Sequence, residues 1–252
     1  MTSYFCDRLR PTFEHRRRGC RLKPWGKEPR FPVPPSRPNN CRSCNPIPFP
    51  PSLAQWRNDG GDYWDQLVTP EVGALVWSEF PIQVYVEPPG KQPSETAWTQ
   101  AVLAAVQEWQ PYLPLVVVDQ SESADIAIWR RSPPLRLAPR PSPSVAPVIE
   151  RVRSAETRYA LYLQQGSGSA SVLIHRCVIY LSPKQTAFYV RAAARHELGH
   201  ALGIWGHSPQ ETDTMYFAQV RNPPTISQRD VNTLKRVYEQ PTRLGWPLRN
   251  GN

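Results

Sequence analysis

His196-Glu197-Leu198-Gly199-His200 sets two imidazoles four residues apart, with a carboxylate directly after the first. Residues i and i+4 lie one turn apart on one helix face, so both rings can reach a single ion. Gly203 then allows the chain to turn, and His207 follows after Ile204, Trp205 and Gly206. Three neutral histidines and a water fit a catalytic zinc site, which keeps its fourth position open. Glu197 is one step round the helix from His196, so it can reach a water on the ion without binding the ion itself. The chemistry such a group performs is hydrolysis by a metal-activated water.

An isolated H-E-x-x-H also fits two surface histidines beside an acid. Against that reading, three of the chain's five histidines fall in this one stretch, on an apolar helix that ends at a glycine. Gly199 costs the helix interior about 1 kcal/mol relative to alanine, so close backbone packing is expected there. The small Ala193 leaves room beside His196. Met215 follows eight residues after His207.

The elements that must carry this group begin near Phe80. Ile82-Gln83-Val84-Tyr85-Val86 alternates and stops at Pro88-Pro89-Gly90, a strand and turn. Ser94–Gln110 has Trp98, Val102, Ala105, Val106 and Trp109 at helical spacing, behind a Ser94-Glu95-Thr96 start and before Pro111. Leu115–Asp119 and Ala124–Trp129 read as further strands. Strand, helix, strand, strand with short links predicts a mostly parallel sheet backed by a helix. The runs Thr157–Gln164 and Ser171–Leu181 flank Gly166-Ser167-Gly168-Ser169 as an antiparallel hairpin. Ser182-Pro183-Lys184-Gln185 has the pattern of a capping box with proline at the first helical position, which predicts a metal-bearing helix from Pro183 to Leu202, with Gly203 as its stop.

The chain has 252 residues, 40% of them hydrophobic, with 30 prolines and a net charge of +9. Residues 1–70 are basic and proline-rich, with Arg16-Arg17-Arg18, Arg21, Lys23, Lys27 and Arg30, and show no sustained periodicity. This predicts a disordered N-terminal segment at 1–70 and a folded domain carrying the histidine group at 71–252. No run approaches the roughly 18 apolar residues of a membrane helix, and no signal-peptide core follows the arginines. Of five cysteines, Cys177 sits in an apolar strand and reads as a small buried hydrophobe. Cys41-Arg42-Ser43-Cys44, with Cys6 and Cys20, has the content of a zinc knuckle but irregular spacing, and the alternative is free thiols.

His196-Glu197-x-x-His200-x-x-Gly203, then His207-Ser208, then Thr214-Met215-Tyr216, resembles the zinc helix and Met-turn of the metzincin metalloproteases. The matrixin branch is most similar, through His200-Ala201-Leu202-Gly203 and the serine after the third histidine, and Ile226–Leu234 resembles its capped C-terminal helix. The resemblance covers about residues 79–240. It implies an α+β fold in the metzincin manner: a twisted, mostly parallel five-stranded sheet with one antiparallel edge strand, a backing helix, the zinc helix and a C-terminal helix. It implies His196, His200 and His207 as ligands of one catalytic Zn²⁺, with Met215 beneath them. It also implies a secreted or extracytoplasmic protein. The pattern has two residues between the glycine and the third histidine, and this chain has three, so Asp213 is the reserve third ligand. The structural-zinc histidines, calcium loops and cysteine-switch motif of matrixins are not visible.

The expected activity is zinc-dependent hydrolysis of peptide bonds, with Glu197 as general base and proton shuttle. A peptide or protein substrate would lie extended against an edge strand, with Thr157–Gln164 the candidate, and the chain is expected to be a monomer without a specific nucleic-acid partner. In a gluzincin alternative the third ligand would be a downstream glutamate, and Glu211 is the only nearby acid of that kind. A third reading makes the chain a catalytically silent zinc-binding adaptor acting through its basic N-terminal segment.

Overall fold

The structure, a computed structural model, describes residues 12–15, 50–135, 153–165 and 171–247, with the backbone alone for 12–15. Cys6, Cys20, Cys41, Cys44, the arginine run, most of the proline-rich stretch after Ser132 and the Gly166–Ser169 turn lie outside the described residues. Among the described residues no helix is long and apolar enough to cross a membrane.

The fold is α+β. Its strands are β1 (Thr12–His15), β2 (Ile82–Val86), β3 (Leu115–Val118), β4 (Ile126–Trp129), β5 (Ala155–Gln165) and β6 (Ser171–Leu181). They form one sheet in the order β1-β5-β6-β4-β2-β3. Every neighbouring pair is parallel except β5 and β6, the expected hairpin, which pair from Ala155↔Leu181 to Gln165↔Ser171. The five strands after residue 80 stand where the sequence placed them. The sixth, β1, was not expected, and it changes one conclusion. β5 is antiparallel but not outermost, because Thr12–His15 runs beside Ala160–Leu163.

Helix α2 (Pro93–Trp109) packs on β2 and β3, and helix α3 (Ala187–Leu202) packs on β5, β6 and α2. The stripe Trp98, Val102, Ala105, Val106 and Trp109 is buried, and Trp109 Nε1 donates to the Arg195 carbonyl across the helix pair. Helix α3 starts four residues later than its cap pattern predicted. Ser182 Oγ accepts from the Lys184 amide in a local turn, and Thr186 is still extended. A serine hydroxyl used this way competes with helix initiation. The other end is as expected: Gly203 has φ +130, and Ile204 N closes the helix on the Gly199 carbonyl. Cys177 is buried, as its strand setting implied.

Packing begins before residue 70. Helix α1 (Pro51–Gln55) buries Leu53, and Tyr63 is buried against helix α4 (Gln228–Tyr238). Trp56 Nε1 donates to Asn232 Oδ1 at 2.8 Å, and the Tyr63 amide donates to Thr233 Oγ1. Residues 50–70 therefore belong with the core, although proline-rich composition grouped them with the arm. Their few large aromatic residues reach α4 without any periodic pattern that would reveal it.

Candidate metal centre

Helix α3 carries His196 and His200 on the face turned towards the loop that follows it. Their rings are 4.8 Å apart, and the His207 ring stands 5.3 Å from the first and 5.0 Å from the second. One ligand atom from each of the three lies within 4.8 Å of the others. Among the described residues this is the single group of three or more histidine, cysteine or carboxylate side chains placed to hold a metal ion.

Hydrogen bonds fix the chemical state of the rings. His196 Nδ1 lies 2.8 Å from the Thr214 carbonyl and His200 Nδ1 lies 2.7 Å from the Ile204 carbonyl. A carbonyl only accepts, so each Nδ1 carries the proton, and the lone pair of the neutral ring is on Nε2. The Nε2 atoms of His200 and His207 are buried and meet no hydrogen-bond partner among the described residues. Burial holds all three rings neutral: His196 is pushed well below the ordinary imidazole value, His200 to about 3 and His207 to about 4. The positive charge of either neighbour would push the His196 ring, and that of His207 the His200 ring, the same way. Buried, neutral, converging imidazoles fit a dication, and this donor set suits zinc, copper, iron or nickel.

The loop bearing His207 is held from both sides. Leu67 bridges to Gly206, and the Val68 amide donates to the Trp205 carbonyl at 2.8 Å. A β-carbon on Gly206 would stand 2.5 Å from the Gln66 carbonyl oxygen, so the approach needs glycine there. The loop that leads to His207 is thus held by packing against residues 66–68. Beyond His207, the Ser208 amide donates to the Met215 carbonyl at 2.8 Å, which ties the loop to the turn whose Thr214 carbonyl meets His196. That turn is anchored in α4: Asp230 accepts from the amides of Thr214 at 2.8 Å and Met215 at 3.3 Å. Asp230 is also the third residue of α4 and accepts from the Ser227 amide, while Ser227 Oγ accepts from its own, a reciprocal cap.

The two reserve ligands stand elsewhere. Asp213 accepts from Ser208 Oγ at 2.5 Å and from Arg229 Nε at 3.1 Å. Glu211 is exposed and outside the histidine group. Met215 is fully buried, and a β-carbon on Gly199 would collide with its sulfur. Gly199 is therefore small so that Met215 can lie against the helix between His196 and His200.

Glu197 is fully buried, with burial raising its carboxyl to about 8 while a hydrogen bond from Thr157 opposes the rise. Thr157 Oγ1 donates to Oε2 at 2.5 Å, and Oε1 has no partner among the described residues. Thr157 gave no signal in the sequence beyond its place in an alternating strand. A cavity opens beside His196, lined by Tyr189, Ala193, Thr214, Tyr216 and Pro224 among others. No protein-family model matches this chain, and no curated protein matches it.

Proposed function

We propose that this protein is a zinc-dependent metalloendopeptidase of the metzincin type. The observation that carries the reading is the pairing of three neutral imidazoles, two buried and one half-buried, close enough to share one ion, with a buried glutamate one residue from the first. Bound there, zinc supplies a Lewis acid with an open position, lowering the pKa of a water towards about 7 and polarising a carbonyl. Glu197 then has two tasks. It takes the proton that the water loses on attacking the scissile carbonyl, and it passes that proton to the nitrogen as the C–N bond breaks. The first needs the ionised carboxylate and the second the protonated form that the first leaves, and a dication held by the three histidines would oppose the upward push of burial on the ionised form.

Ala160–Leu163 of β5 pairs with Thr12–His15, and the part before it is no free edge, with Ala155, Glu156, Thr157 and Tyr159 all buried. That part contains Thr157, the residue that touches Glu197. The cavity beside His196 takes a substrate side chain next to the cleaved bond.

The test is zinc content together with cleavage of a mixed peptide library. The reading predicts about one zinc per chain, cleavage stopped by a chelator and restored by zinc, and indifference to serine- and cysteine-directed reagents. Zinc-loaded protein that leaves the library intact contradicts it.

A further inference from the structure

The metzincin reading assigns Glu197 as the base but says nothing of what aims it. Glu197 has three side-chain torsions and is fully buried. One hydroxyl limits that freedom. Thr157 Oγ1 is 2.5 Å from Glu197 Oε2 and 3.0 Å from the backbone carbonyl of the same residue. The contact bridges the end of the side chain to its own backbone, across the junction of β5 and α3. Thr157 is itself buried, and its β-branched side chain has few rotamers to choose from.

Resting on the proposed peptidase reading, we infer that Thr157 is a positioning residue for Glu197. Its hydroxyl holds Oε2 and leaves Oε1 as the oxygen that meets the reacting water. A hydrogen bond to an ionised carboxylate is short and strong, so it fixes the last torsion of the side chain. Thr157 touches neither the substrate nor the ion in this scheme. Its effect is on how often the base is aligned, which appears in kcat and leaves KM alone.

Thr157→Val keeps the branched shape and removes only the hydroxyl, whereas Thr157→Ser keeps the hydroxyl and loses a methyl. Thr157→Val is expected to retain full zinc content and KM while kcat falls about 30-fold. Thr157→Ser is expected to stay within about threefold of wild type. In a Glu197→Gln background the valine should add no further loss. A crystal structure of metal-free Thr157→Val should show the Glu197 carboxylate turned from its wild-type position. The inference is overturned if Thr157→Val keeps wild-type kcat, if Thr157→Ser is as impaired as the valine, or if the carboxylate stays in place. Should the valine variant not fold, Thr157→Ala takes its place in each measurement. If wild type binds zinc and cleaves nothing, the peptidase reading falls, and the crystallographic comparison still decides whether Thr157 holds the carboxylate.

Discussion

The Tyr63 hydroxyl donates a 2.6 Å hydrogen bond to Asp230 Oδ1, and the other oxygen of that carboxylate accepts from the amide of Thr214, whose carbonyl in turn orients His196. Residues before the sheet thus reach the candidate metal centre through one buried aspartate. Tyr63→Phe removes a bond to a charged acceptor and should lower the unfolding free energy by about 2 kcal/mol. Urea denaturation measures it, and an unchanged midpoint contradicts the assignment. By the same account, a chain starting at Pro50 should fold, and one starting at Pro70 should be clearly less stable.

Gly199→Ala sets two effects against each other. Alanine favours the helix by about 1 kcal/mol. The added methyl collides with the Met215 sulfur and comes within 3.3 Å of Trp109 Cζ2, both buried, and overpacking of this kind costs about 1–3 kcal/mol. The variant should melt at a lower temperature than wild type. A higher melting temperature would mean that Met215 moves aside freely.

What could be read from the sequence was what obeys a period or a local rule. The alternation of Ile82–Val86, the stripe on Pro93–Trp109 and the left-handed Gly203 all stand as expected. The histidine spacing brought His196, His200 and His207 together. What escaped depends on partners distant in sequence. Tyr63 and Trp56 meet α4 without any pattern that marks them, and Thr157 meets Glu197 from another element. Ser182-Pro183 satisfied a capping rule, but the serine spends its oxygen on a local turn.

The third ligand has its own test. Asp213→Asn should retain zinc, because Asp213 is engaged by Ser208 and Arg229, whereas His207→Ala should lose it. Gly206→Val should weaken zinc binding while His207 is intact, because the new side chain displaces the loop from the Gln66 carbonyl. Competition with a chromogenic chelator reads all three. Zinc retained by His207→Ala and lost by Asp213→Asn would exchange their roles.

His175 lies apart from the metal centre, buried and stacked on Trp77 at 3.9 Å. Burial pushes it to about 3, below its ordinary value of 6.5. Between those two values the unfolded chain binds the proton and the folded chain does not, so stability is lost as pH falls from 6.5 towards 3. Its contribution to that loss at pH 4 is on the order of 3 kcal/mol. His175→Phe keeps the stacking, and its stability should fall less between pH 7 and pH 4. Equal acid sensitivity in both proteins contradicts the assignment.

The proposed mechanism requires Glu197 to be a base that is not a ligand. Glu197→Gln preserves size and burial but cannot take a proton. Zinc content and peptide hydrolysis should be measured on the same preparation of that variant. The expected result is wild-type zinc with hydrolysis reduced by about 10²-fold or more. Wild-type turnover in zinc-loaded Glu197→Gln would contradict the mechanism.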